Sequence, residues 1–117
     1  MNLKPNELLK LFSDPTRLHS LMLLMQEGEL CVCELTYAMG VIQPKISRHL
    51  ASLRDAGVVL DQRAGQWIYY RINPELPDWA RAVLEAALMG VKADKQFKED
   101  LKRLANMPKR PENRICP

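Results

Sequence analysis

Apolar side chains recur at helical spacing through most of the chain, and the pattern gives way to alternation in one stretch. Leu8, Leu9 and Phe12 make a short amphipathic helix that ends at Ser13-Asp14-Pro15, where a capping residue precedes a first-turn proline. A second helix starts there: Leu18, Leu21, Met22 and Met25 follow the three-then-four spacing of one buried face, and Gly28 stops it. Glu34 to Met39 predicts a short helix ending at Gly40, and Val41-Ile42-Gln43 is a tight connection into Pro44. The helix from Pro44 to about Ala56 puts Ile46, Leu50 and Leu53 on one face and turns Lys45, Arg48, Ser52 and Asp55 outward. Two short helices across a glycine-containing turn, the second with a basic outer surface, make a helix-turn-helix, whose second helix fits the DNA major groove.

After Gly57 the period changes from helical to two. Val58-Val59-Leu60 leads through Asp61 to Gln66, with Gly65 in the bend, into Trp67 to Ile72, which is rich in aromatic and β-branched residues. Ile68, Tyr70 and Ile72 alternate with Trp67, Tyr69 and Arg71, so one face of this hairpin packs on the helices and the other stays partly wet. Tyr70 is read as a packing residue, Trp67 as packing or base stacking, and Arg63 near the tip as a wing residue. Asn73-Pro74-Glu75-Leu76-Pro77 breaks the chain before a long helical run from Asp78 to about Asn106, striped by Ala80, Val83, Leu84, Ala87, Leu88 and Val91. That stripe exceeds what the rest of so small a fold covers, which predicts a twofold homodimer formed with the first helix. The expected architecture is mainly α with a small β-hairpin, an α+β winged helix-turn-helix. One DNA-binding and dimerisation domain spans 1–106, and 107–117, with three prolines, reads as a mobile tail.

Composition narrows the class. At 117 residues, 47% apolar and 26% charged, the chain suits a single packed domain. The apolar run Leu21 to Met25 is too short to span a bilayer and the N-terminus has no signal-peptide core, so a cytoplasmic protein with no membrane partner is expected. The net charge of +3 is unevenly spread: positions 1–42 hold three basic and five acidic residues, 43–73 five and two, and 74–117 nine and seven. The mid-chain excess is where a polyanion such as double-stranded operator DNA would sit.

Candidate chemistry centres on Cys31-Val32-Cys33, since thiolates are soft ligands for thiophilic ions. Residues two apart point nearly opposite ways on a helix but the same way in extended chain, so chelation by both needs extended or distorted backbone. A following helix N-terminus favours the thiolate, and the alternative is a pair of small buried apolar side chains. His19 is read as a structural helix residue, and His49 as packing, capping or DNA contact. Two histidines at unsuitable spacing make a histidine-carboxylate zinc site hard to assemble. The sequence holds no catalytic Cys-His spacing, phosphate loop or nucleophile elbow, so a non-enzyme without an organic cofactor is expected.

Glu29-Leu30-Cys31-Val32-Cys33-Glu34-Leu35, Gln43-Pro44-Lys45-Ile46-Ser47-Arg48-His49-Leu50 and Gly65-Gln66-Trp67-Ile68-Tyr69-Tyr70-Arg71 resemble the arsenical-resistance repressor (ArsR) family over roughly positions 5–105. The resemblance implies a dimeric winged helix-turn-helix repressor that leaves its operator when trivalent arsenic or antimony binds. The Ser-Arg-His-Leu element is shared across metal-sensing relatives, whereas Glu-Leu-Cys-Val-Cys points to arsenic. In the family's best-known pattern a third cysteine follows three residues after the second; here Thr36 stands there, and Cys116 is the one remaining thiol. Cys116 is therefore either a third ligand, within one subunit or across the dimer, or a tail residue without a role, with two-thiol binding then completed by a small thiol or water. Gln43, Lys45, Ser47, Arg48 and His49, with Arg63 and Gln66 of the wing, are the candidate DNA contacts. The competing readings are a sensor of cadmium, zinc, copper or thiol oxidation, and a winged-helix module that binds protein.

Overall fold

The computed structural model describes residues 2–108. Six helices and three strands follow one another as α1 (Pro5–Leu11), α2 (Pro15–Glu27), β1 (Glu29–Cys31), α3 (Val32–Met39), α4 (Gln43–Asp55), β2 (Val59–Ala64), β3 (Trp67–Ile72), α5 (Asp78–Val91) and α6 (Lys95–Ala105). Asp14 caps α2, its carboxylate accepting from the Thr16 and Arg17 backbone N–H groups at 2.8 and 3.2 Å. Gly28 and Gly40 close α2 and α3 at φ 92° and 66°, backbone that a side chain disfavours. Leu21, Met22, Leu23 and Leu24 are all buried, so α2 is covered on more than the single face its spacing suggested and forms the centre of the core. Leu8, Leu35, Ile46, Leu50, Leu53, Leu84, Phe97 and Leu104 close around it from the other helices.

The wing is larger than a hairpin. β2 and β3 pair antiparallel with Ala64 opposite Trp67, so Gly65 and Gln66 form a two-residue turn, with Gly65 at φ 64°. Arg63 lies inside β2 opposite Ile68, and not on the turn. β1 adds a third strand on the other side of β3, with Leu30 opposite Tyr70 and Cys31 opposite Tyr69. Three residues are too few to show alternation, which is why this strand left no trace in the hydrophobic pattern.

The long helix expected over 78–106 is broken. It ends at Val91, and Asp94 opens α6 by accepting from the Gln96 N–H at 3.2 Å. An aspartate that satisfies an orphan backbone donor at a new helix start competes well with its own continuation of the helix. The turn lets α6 fold back along α3, which buries Phe97 and Leu104. The expected tail also starts too early: Met107 is 5% exposed, and positions 109–117, with Cys116, lie outside the described residues. Among the described residues no helix is long and apolar enough to cross a membrane.

Candidate functional site

Two structures meet at the α3–α4 unit. The first is a buried sulfur cluster. The chain passes from β1 straight into α3, with Cys31 as the N-cap in extended conformation (φ −84°, ψ 163°) and Cys33 already in the first helical turn. The helix thus begins at Val32, two residues earlier than its polar pattern suggested. The Cys31 N–H donates to Glu34 Oε1 at 2.9 Å as half of a capping box. Because strand turns into helix between them, the two sulfurs converge to 2.8 Å instead of pointing apart. Cys31, Cys33 and Met107 are buried together, with Trp67 and Tyr69 of β3 packed against them. Cys31 and Tyr69 are cross-strand partners and share a face, so the face expected to stay wet is covered by this cluster.

The second structure is the outer face of α4. Gln43, Lys45 and Arg48 are exposed and Ser47 half-exposed, while Ile46, Leu50 and Leu53 face the core. Arg63 and Gln66 are exposed on the wing. Among the described residues Lys45, Arg48 and Arg63 enter no salt bridge, whereas Arg54 is drawn to Asp55 and Asp61 at 3.4 and 3.2 Å. His49 turns inward: it is 8% exposed, with Nε2 3.7 Å from Asp14 and Nδ1 3.3 Å from an Arg17 guanidinium nitrogen. Arginine only donates, so Nδ1 is the acceptor and the proton of the neutral ring sits on Nε2, facing Asp14. Burial lowers the His49 pKa, and Arg17, Arg48 and Lys45 reinforce this against the opposing pull of Asp14. Burial also works to raise the Asp14 carboxyl, but the Arg17 and Thr16 N–H donors and the nearby positive charges carry it below its ordinary value.

Residues 14–60, spanning α2 to the start of β2, match the family of bacterial regulatory proteins described as arsR. The arsenic resistance transcriptional regulator ArsR1 of Pseudomonas putida is 47% identical over 115 residues, covering 97% of this chain and 88% of the relative. The arsenical resistance operon repressor of Escherichia coli is 48% identical over 85 residues, 73% of each. This chain belongs to the ArsR family. Among solved structures, the antimony-specific repressor AntR superposes with a TM-score of 0.62 at 31% identity, over 76% of this chain and 78% of that one. The repressor BigR of Xylella fastidiosa gives 0.62 at 34%, over 72% and 82%.

As in an ArsR-family winged helix-turn-helix, α3 and α4 form the DNA-binding motif and the β-sheet the wing; the family is one of transcriptional regulators and not of enzymes. The structure leaves Lys45 and Arg48 on the solvent side of α4, with Gln43 exposed and Ser47 half-exposed near its start. It places His49 with the core and not on that side. His19 is structural, its Nε2 3.5 Å from Asp94, where it ties α2 to the start of α6. Sequence reading missed Met107, Trp67 and Tyr69 as neighbours of the thiols. The strand period does place Trp67 and Tyr69 on one face, but nothing local signals that β1 pairs there. It also missed Asp14 and Arg17 around His49.

Proposed function

We propose that this chain is a repressor that binds operator DNA as a homodimer and releases it when trivalent arsenic or antimony binds Cys31 and Cys33. The observation that carries the reading is the buried, converging pair of cysteine sulfurs at the start of α3, which leads through one turn into the exposed basic surface of α4. Gln43, Lys45, Ser47 and Arg48 contact bases and phosphates in the major groove, while Arg63 and Gln66 of the wing reach the flanking backbone or minor groove. The second copy is supported by apolar side chains left outside: Leu9 of α1 is 56% exposed and Met89 of α5 77%. The twofold places the α4 helices about one helical turn of DNA apart.

Metalloid binding replaces the thiol protons and pulls Cys31 and Cys33 to a common centre. The Cys31–Glu34 cap then opens, the first turn of α3 distorts, and α4 shifts with it. A coupling of about 1–3 kcal/mol is enough to lower operator occupancy usefully. Thr36 carries no sulfur, and its hydroxyl is already engaged, donating to the Val32 carbonyl at 2.9 Å. Cys116 is offered as the third ligand to the metalloid.

The test is fluorescence anisotropy of the reduced protein on DNA from upstream of its own gene, titrated with arsenite, antimonite, zinc and cadmium. Release by arsenite or antimonite, abolished in a Cys31→Ser, Cys33→Ser variant that still binds DNA, is the expected result. Release of that variant by arsenite would show the site to be wrong. In Cys116→Ser, a weakened arsenite response identifies the third thiol, and an unchanged one removes it.

A further inference from the structure

One exposed apolar side chain lies on the DNA-binding motif itself. Among the described residues Leu9, Tyr37, Ile42 and Met89 are the large apolar side chains left exposed, and Leu9 and Met89 belong to the face assigned to the second copy. Ile42 is 70% exposed and sits in the turn between α3 and α4. It is the N-cap of α4, at φ −62° and ψ 146°, and its side chain makes no capping hydrogen bond.

Two unfavourable choices meet at this position. A side-chain oxygen at the N-cap would accept an orphan backbone N–H of the first turn, and isoleucine is among the least favoured residues there. A branched aliphatic side chain on the surface also keeps its apolar area in water. Packing within the chain accounts for neither. Val41, one residue earlier and half-buried, is the one that packs on the core cluster containing Ile46, at the position a hydrophobic staple uses. The Ile42 carbonyl accepts from the Lys45 and Ile46 N–H groups at 3.1 and 3.2 Å, which starts the helix without calling on the side chain.

Its neighbours are those of a surface that reads DNA. Gln43, Pro44 and Lys45 follow it and are all exposed, so Ile42 opens an unbroken exposed run at the N-terminal end of α4. In a helix-turn-helix the N-terminal residues of the second helix are those that reach base edges in the major groove. The apolar group displayed there is the C5-methyl of thymine, which aliphatic side chains recognise by contact.

We infer that Ile42 packs on the C5-methyl of a thymine in each operator half-site and so helps to set the sequence that the protein selects. The inference rests on the operator-binding reading above and adds to it a base contact that carries no charge. The methyl group and the isoleucine leave water together on binding, which offsets the exposure of both in the free partners.

The experiment is fluorescence anisotropy of the reduced full-length protein on duplexes covering the stretch of its own upstream DNA that it protects from nuclease cleavage. Each thymine in turn is replaced by uracil, which removes the methyl and keeps the hydrogen-bonding edge. At one thymine of a half-site, uracil should weaken binding about fourfold, the worth of one apolar carbon taken out of water. Ile42→Ser should weaken binding to the unmodified duplex at least as much and be indifferent to uracil at that thymine. Its urea midpoint should be equal to or above the parent's, since serine caps a helix better than isoleucine. Ile42→Val, which keeps a branched apolar side chain, should retain the uracil effect. A uracil scan that is flat in the parent, or whose effect survives in Ile42→Ser, overturns the contact, while salt-dependent binding to the same DNA leaves the operator reading in place. A urea midpoint that falls with the affinity in Ile42→Ser also overturns it, because the loss then belongs to folding. Absence of salt-dependent binding by the parent removes the operator reading and the contact with it.

Discussion

Among the described residues Arg48 and Lys45 stand out of α4 in no salt bridge, whereas Arg54, one and a half turns on, is taken up by Asp55 and Asp61. A cation held by no internal partner keeps its charge for a phosphate. Arg48→Ala should therefore weaken operator binding, and the slope of log affinity against log salt should fall by about one if the contact is a phosphate. An affinity and slope identical to the parent would remove Arg48 from the interface. His49 works in the opposite direction, toward the core. Its pKa is held below the unfolded value, so the unfolded chain binds the proton more readily. The stability this contributes is complete above about pH 6.5, the ordinary histidine value, and is lost as pH falls through the depressed folded value. Urea midpoints at pH 7.5 and 5.5 should drop less in His49→Gln than in the parent; an equal drop would place the titrating group elsewhere.

At the scale of the element, α3 is gripped at both ends. Its start is the strand-to-helix junction with the thiols, and its end is the Ala38 carbonyl held by Arg103. Arg103 also donates to Asp100 at 2.8 Å, and Gln96 donates to the same carboxylate oxygen at 2.8 Å. Burial raises the Asp100 pKa, while Gln96 and Arg103 oppose that rise. Removing Arg103 leaves a buried carboxylate short of a donor and a helix-end carbonyl unpaired. Arg103→Ala should cost about 1–3 kcal/mol in urea unfolding, the penalty for an unsatisfied buried polar group. A change within a few tenths of the parent would mean that water replaces the guanidinium. The break at Asp94 is what makes this grip possible, since a continuous helix over 78–106 would carry Phe97 and Arg103 away from α3.

For the whole molecule, the proposed homodimer turns on the apolar side chains left outside the core. Val83, Ala87, Leu88 and Val91 are half-buried on α5 while Met89 and, on α1, Leu9 are largely exposed. Met89→Glu combined with Leu9→Glu should shift the protein toward monomer in analytical ultracentrifugation and weaken operator binding with it, because two half-sites bind together only when the twofold is intact. A dimer that survives both charges would move the interface to another face.

The helix-turn-helix, the basic outer face of α4, the capping at Asp14 and the hairpin alternation were all legible in the sequence, because each depends on contacts between residues a few positions apart. So was the thiol pair as a candidate, through its spacing and its place before a helix. Tertiary packing decided the rest. β1 exists only because β3 offers it a partner 40 positions later, Leu30 opposite Tyr70, and that pairing puts Tyr69 and Trp67 over the thiols. The convergence of Cys31 and Cys33 comes from a strand entering a helix between them, and the arrival of Met107 from a helix folded back along α3. His49 was undecided by its helical position, at the edge of the packed face; Asp14 and Arg17, some thirty residues away, draw it inward. Local periodicity carries no record of such distant neighbours, so the motif could be read from the chain while the surroundings of its thiols depended on the fold.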